Sequence, residues 1–330
     1  MADTAIEWAT KVWNPTTGCD RVSPGCDHCY ALTMAKRLKG MGSAKYQRDG
    51  DPKTSGPGFG VSYHSSALGD PLRWTKPQRV FVNSMSDLFH DEVPEVFIQR
   101  IWEVMSKCPQ HTFMILTKRH ARMRSLLNRR GFYGDIETWV GRDIPRPLPN
   151  VWLGVSAEDD RWAKIRGDAL REIPAAVRFF SFEPLLGPMR DVDLSGIDWV
   201  ITGGESGAGA RPAHPEWFRS IRDQCVAADV AYLHKQNGEW AQDVTHYPAN
   251  PECGIDEPYT VLNIPRDAKD RNRCALHLAG MTALRPGNEF NPFERGHPGW
   301  TVMRRIGKHR AGRELDGRTW DQYPEVVAHG

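Results

Sequence analysis

Three cysteines stand close together near the start of this 330-residue chain, in the segment TGCDRVSPGCDHCYALTMAKRL: Cys19, Cys26 and Cys29, spaced C-x6-C-x2-C. Thiolates are soft ligands, suited to zinc and to iron–sulfur clusters. Gly18, Pro24 and Gly25 let the backbone turn tightly enough for three sulfurs to converge on one centre, and the loop holds no fourth cysteine. Three ligands leave a coordination position open, which separates a reactive centre from a closed structural one. Two centres fit these donors. One is a [4Fe-4S] cluster with a free iron; the other is zinc, with His28 or a distant His as fourth ligand. His28 lies inside the Cys26–Cys29 pair, where binding the same ion would strain the loop.

The elements that must hold this loop are legible around it. Between about residue 79 and residue 240, short apolar runs rich in β-branched and aromatic residues alternate with segments of helical period, the pattern of βα units around a parallel sheet. Strands are expected at 79–83, 112–116, 151–155, 177–182, 199–202 and 231–235, with a first strand near 11–14. Helices are expected at 95–107, 121–128, 160–172 and 215–228, and another beginning near Tyr30. About seven βα units result, one short of a closed eightfold barrel, so the fold class expected is α/β: a partial or seven-stranded (β/α) barrel with loop insertions. The Gly-, Pro- and Ser-rich residues 40–75 read as a long loop over one end of it. Residues 1–244 are assigned to the barrel, and 245–330 to an irregular, partly basic C-terminal extension packed on it.

In a parallel barrel, function collects where strands end. Polar residues recur at those points: Asn83, Ser84, Ser86 and Asp87; Thr117 and Lys118; Ser156 and Glu158; Ser181 and Glu183; Gly203, Gly204 and Glu205; Lys235 and Gln236. Of these, Asn83, Ser84, Asp87, Ser156, Glu158, Glu183, Gly203, Gly204 and Glu205 are the candidate cofactor-binding residues. The two glycines would allow close backbone approach and Glu205 could pair with an ammonium, although a Gly-Gly turn is also ordinary punctuation. Ser84, Asp87 and Ser156 could equally serve turns or caps, and Glu183 a salt bridge at the barrel mouth.

Lys and Arg total 43 against 41 Asp and Glu, a net charge of +2 that neither demands nor excludes a nucleic-acid partner. No apolar run has membrane-spanning length and the N-terminus lacks signal-peptide character, so a soluble cytoplasmic protein without membrane contact is expected. Seven cysteines in such a compartment are not a disulfide framework. Cys108 and Cys225 lie in helical patterns and read as core; Cys253 and Cys274 are too few for a second cluster. Basic residues cluster in KRHARMRSLLNRR and MRRIGKHRAGR, either a phosphate-tracking groove or two solvated faces.

The stretches WNPTTGCDRVSPGCDHCYA, VNSMSDLFH, LTKR, GVSAED, FEPLLGP, ITGGESGAGARPAHPEW and LDGRTWDQYP, spread over nearly the whole chain, resemble those of the three-Cys-motif proteins of phages and bacteria, a largely uncharacterised family. More widely, a three-cysteine loop after the first barrel strand is similar to the radical S-adenosylmethionine superfamily, in which spore photoproduct lyase is a more distant likeness. The gap of six departs from that superfamily's usual C-x3-C-x2-C, and its GGE, used there to meet the cofactor's amino group, falls on an earlier strand than ITGGESG does here. The resemblance implies a barrel of radical S-adenosylmethionine type, a [4Fe-4S] cluster on Cys19, Cys26 and Cys29, S-adenosylmethionine on the open iron, and an electron donor for the cluster. It also implies an enzyme that generates a 5′-deoxyadenosyl radical, with nucleic acid as the expected substrate for modification or repair. A non-catalytic nucleic-acid-binding protein with structural zinc is the rival reading.

Overall fold

The structure, a computed structural model, describes residue 4 and residues 6–247, 249, 259–262, 272–280, 282–283 and 299–325. Its centre is a seven-stranded parallel sheet, curled into a half-barrel. In spatial and chain order the strands are β1 (Lys11–Trp13), β2 (Arg79–Val82), β3 (Thr112–Thr117), β4 (Val151–Ser156), β5 (Val177–Phe182), β6 (Trp199–Gly203) and β7 (Ala231–Gln236). The expected strands are present, with ends differing by a residue at most.

Alternation of side chains along each strand decides what lies inside the curl. Phe81, Met114, Trp152, Val177, Phe179, Trp199, Ile201 and Leu233 form one apolar cluster with Trp8 on the concave face. Their neighbours Val82, Ile115, Leu153, Val155, Phe180, Val200 and Tyr232 join a second cluster against the helices. Both faces are buried, as parallel sheets require. The inner floor is tightly filled: a Cβ on Gly154 would sit 2.4 Å from the ring of Phe179, which has no exposed surface.

The longer helices are α1 (Tyr30–Gly40), α2 (Glu95–Ser106), α3 (His120–Leu127), α4 (Arg130–Val140), α5 (Asp160–Arg171) and α6 (Pro215–Ala227), with single turns at Ser65–Leu68 and Lys308–Ala311. Helix α2 buries Ile98, Ile101, Trp102 and Met105, the i, i+3, i+4, i+7 stripe of a core-facing helix. Asp159 starts α5 by accepting a hydrogen bond from the Trp162 N–H at 3.0 Å. Helix α4 was not expected. Its Gly131 and Gly134 weaken the sequence signal, yet Phe132, Tyr133 and Ile136 bury one face, and Gly141 ends it in the left-handed conformation.

The C-terminal part differs from the irregular extension expected of it. Described residues there form an antiparallel sheet of β8 (Trp240–Gln242), β9 (Arg273–His277), β10 (Thr282–Ala283) and β11 (Trp300–Arg305), in the order β8-β11-β9-β10. Its β8, β9 and β11 pair across long stretches of sequence, which is why local pattern missed it. Cys253 lies outside the described residues. The final segment then returns to cover the free edge of β7: the His234 N–H donates to the Trp320 carbonyl (2.9 Å) and the Gln322 N–H to that of Tyr232 (3.1 Å). Tyr323 packs against Trp199 and under the Arg79 guanidinium, so LDGRTWDQYP closes the floor of the half-barrel.

Two predictions follow from this packing. Gly154→Ala overfills the floor against Phe179 and should cost about 1–3 kcal/mol, read as a lowered midpoint in chemical denaturation; an unchanged midpoint contradicts the packing. His234 is buried between Thr202 Oγ1 (2.9 Å) and Asn237 Oδ1 (3.1 Å), and His214 accepts the Glu216 N–H at the start of α6. Burial lowers both imidazoles from 6.5 to about 4. The unfolded chain then binds more protons between those values, so stability should be full above about pH 6.5 and fall as pH drops toward 4. Denaturation midpoints measured across that window check it; a flat profile refutes it.

Candidate functional site

The loop carrying the cysteines leaves β1 and enters α1. It is anchored at Gly18, whose N–H donates to the Met85 carbonyl at 3.0 Å. Gly18 has φ +84°, and a Cβ there would meet the Gly60 carbonyl oxygen at 2.3 Å, so only glycine fits. Cys19, Cys26 and Cys29 all line a cavity of about 810 Å³ at the C-terminal end of the sheet. Their sulfurs do not all lie within 4.8 Å of one another. The loop thus gathers three thiols around one space more loosely than a single bound ion would.

Desolvation, followed by the nearby Asp87 carboxylate, pushes the Cys19 thiol up to about 12, and desolvation also raises Cys29. Thiols that resist ionisation alone are deprotonated outright when they bind a cationic centre.

Of the candidate cofactor-binding residues, Asn83, Ser84, Asp87, Ser156, Glu183, Gly204 and Glu205 line this cavity with the cysteines, whereas Glu158 and Gly203 do not. The inward alternation of the strands continues beyond the apolar floor: Phe81 is followed by Asn83, Trp152 and Gly154 by Ser156, Phe179 by Ser181, and Leu233 by Lys235. The cavity therefore has an apolar floor and a polar mouth.

Several of these residues have their polar atoms committed. Asp87 accepts from Thr117 Oγ1 (2.6 Å) and from the N–H groups of Lys118 (2.9 Å) and Phe89 (3.0 Å), which makes it a structural anchor for the loop after β3. Glu158, fully buried, pairs with the equally buried Arg166 at 3.0 Å and accepts the Gly25 N–H at 3.3 Å. Glu205 holds the other side of the loop. Its carboxylate accepts the Arg211 N–H (2.8 Å), Arg211 Nε (2.8 Å) and Nη2 (2.5 Å), and lies 3.1 Å from His28 Nδ1. Arg211 continues to the Pro24 carbonyl at 2.9 Å and Asp27 at 3.3 Å. Burial works against ionising Glu205, but the Arg211 and His28 donors outweigh it and hold the carboxyl below its usual range.

The expectation that Glu205 faces an ammonium therefore meets a carboxylate already occupied by Arg211. Gly204 serves close packing: a Cβ there would lie 2.2 Å from the Asn237 carbonyl oxygen. The carboxylate left facing the cavity is Glu183, bound by Lys235 Nζ at 2.7 Å, with the missing side chain of Gly203 making room for it. Arg166, Arg211 and Asp20 were missed in the sequence. Asp20 accepts from Thr54 (2.7 Å), Ser55 (2.9 Å) and His90 Nε2 (3.0 Å), tying the Gly-rich insertion to the cysteine loop. Asp20, His90 and Glu92 are the one group of three ligand atoms within 4.8 Å among the described residues, but the His90 nitrogens are already engaged by Asp20 and the Glu92 N–H.

The two basic stretches are largely spent inside the fold. In the first, Arg122 donates to the carbonyls of His90 and Val93, Arg124 pairs with Glu172, and Arg129 with Glu95. In the second, Arg305 meets Gly207 and Glu239, and Arg313 meets Asp321. Lys118 and Lys308, one from each stretch, line the cavity. No helix among the described residues is long and apolar enough to cross a membrane.

No curated protein and no solved structure matches the chain. One family model does, over residues 3–324, described as a protein of unknown function, DUF5131. With nearly the whole length matched, loop and barrel together, the chain belongs to the DUF5131 family.

Proposed function

We propose that this protein is a radical S-adenosylmethionine enzyme whose half-barrel is of that superfamily's type, and that Cys19, Cys26 and Cys29 hold a [4Fe-4S] cluster. The observation that carries the reading is the placement of all three thiols, with no fourth cysteine among the described residues, on one large cavity at the C-terminal mouth of a curled parallel sheet. The donor set fits the group. Thiolates on one tetrahedral zinc at about 2.3 Å would stand roughly 3.8 Å apart. The three sulfurs do not all lie within 4.8 Å of one another, which disfavours a single ion as the shared centre, whereas a cluster takes each thiolate on a different iron. His28, one candidate for a fourth zinc ligand, holds Glu205 through Nδ1 and makes no group of three ligand atoms within 4.8 Å with the sulfurs.

When bound, such a cluster supplies one electron for reductive cleavage of S-adenosylmethionine, yielding methionine and a 5′-deoxyadenosyl radical able to abstract hydrogen. The chain's residues bind and orient. Glu158 and Glu205 fix the loop from opposite sides, and the Glu183–Lys235 pair presents a carboxylate and an ammonium to the amino-acid end of the cofactor. The apolar floor of Phe81, Leu116 and Trp8 keeps water from the reacting atoms. An external electron donor is required, and a nucleic-acid unit is the proposed substrate.

Protein reconstituted anaerobically with iron and sulfide should bind about four irons and, with dithionite, release 5′-deoxyadenosine from S-adenosylmethionine. Cys26→Ala should lose both cluster and cleavage. Zinc bound in place of iron, or cleavage unaffected by the substitution, rejects the proposal. Arg211→Ala removes charge-assisted bonds worth about 1.5–3 kcal/mol and should speed alkylation of Cys26 and Cys29 in the metal-free protein by roughly tenfold or more. Labelling rates unchanged from wild type would mean that the clasp does not hold the loop.

A further inference from the structure

Strand β3 ends at Thr117, and the next two residues, Lys118 and Arg119, are cations set against the cysteine loop. Their backbone is fixed: the Lys118 N–H donates to Asp87 Oδ2 at 2.9 Å and the Arg119 N–H to Thr117 Oγ1 at 2.8 Å. Lys118 lines the cavity together with all three thiols, and its Cε packs on Gly25, 3.5 Å from where a Cβ on that residue would stand. Desolvation raises the Cys19 and Cys29 thiols, and Asp87 adds to it at Cys19. Against it, Arg119 favours ionised Cys19 by charge and by hydrogen bonding, and Lys118 favours ionised Cys29 by charge.

Neither cation has a close counter-charge of its own. Among the described residues the Lys118 ammonium has no ion-pair or hydrogen-bond partner. Glu158 lies against the same point of Gly25, at 3.3 Å, but is spent on Arg166 and the Gly25 N–H. The Arg119 side chain is 14% exposed; its ion pair, with the largely solvated Asp91, spans 3.9 Å, and its Nε has no partner. A cation taken out of water needs an anion close by. Neutral thiols supply none. Thiolates on a bound centre do, since three of them outweigh the charge of an oxidised cluster core and make the assembled centre an anion.

We infer that Lys118 and Arg119 are the charge-compensating residues of the thiolate centre, Arg119 for Cys19 and Lys118 for Cys29, and that they raise its reduction potential. On reduction the centre gains one electron from the external donor, with no bond made or broken, and carries one more negative charge. Nearby cations therefore favour the reduced form over the oxidised one. Both residues act through the sulfurs and are positioning residues. The effect on potential rests on the proposed cluster, whereas the positive field at the sulfurs belongs to the chain alone.

Two measurements on the full chain test it. In the metal-free protein, alkylation by anionic iodoacetate and by neutral iodoacetamide is followed at each cysteine by mass spectrometry, and the ratio of the two rates reads the local field rather than thiol ionisation or access. Lys118→Met should lower that ratio at Cys29, and Arg119→Met at Cys19, by roughly three- to tenfold, while Lys118→Arg and Arg119→Lys keep it. In protein reconstituted with iron and sulfide, each Met variant should lower the midpoint potential by a similar factor in the reduction equilibrium, tenfold being about 59 mV for one electron, and the charge-keeping variants should stay near wild type. Ratios and potentials unchanged in both Met variants overturn the inference even where the cluster assembles and the cofactor is cleaved. A lowered ratio with an unmoved potential overturns it too, and would leave Lys118 to an anionic group of the substrate. Lowered ratios in a chain that assembles no cluster reject the radical-enzyme reading, and with it the effect on potential, and leave the charge compensation standing.

Discussion

A carboxylate with no exposed surface must be neutralised where it sits, and Glu158 is placed under that constraint at the end of β4. Arg166, one helix away, meets it at 3.0 Å while its guanidinium lies over the Trp162 ring at 4.1 Å. Burying such a pair carries a desolvation cost that attraction alone rarely recovers. Here the pair has a third member, because the other Glu158 oxygen takes the Gly25 N–H of the cysteine loop. Strand, helix and loop are thereby locked together. Glu205 and Arg211 repeat the device from the end of β6, with Arg211 reaching the Pro24 carbonyl. The two carboxylates grip residues 24–28 from two sides and set where Cys26 faces relative to the cavity.

Much of this architecture is written locally. The barrel strands are short β-branched and aromatic runs, and the period of two that buries Phe179 inward and Phe180 outward also brings Asn83, Ser156, Ser181 and Lys235 to the mouth. That is why strand ends were a sound guide to the cavity. Roles were less legible than positions. Asp87, Glu158 and Glu205 read as candidate ligands because a carboxylate at a strand end looks the same whether it faces a cofactor or a buried donor. What decides is the partner, and Thr117, Arg166 and Arg211 become partners only once the sheet has curled. The antiparallel sheet at the C-terminal end was hidden for the same reason, since β8 and β11 pair across more than fifty residues.

Charge followed a similar course. Thirteen residues containing Lys118, Arg119, Arg122, Arg124, Arg129 and Arg130 suggest a cationic face, but a guanidinium carries five donors and a compact fold offers many orphan carbonyls. Arg122 is consumed by two of them, and Arg124 and Arg129 by carboxylates on other elements.

The six residues between Cys19 and Cys26 also acquire a cause. Asp20 spends its carboxylate on Thr54, Ser55 and His90 and so binds the Gly-rich insertion that borders the cavity. The Ser23 carbonyl accepts the Cys26 N–H at 2.9 Å, and Pro24–Cys26 forms a single tight helical turn. Within that turn the Pro24 carbonyl meets Arg211 and the Gly25 N–H meets Glu158. A gap of three would have to delete either the tie to the insertion or the turn that both clasps grip. The spacing thus records how the loop is anchored on three sides, whatever its sulfurs bind.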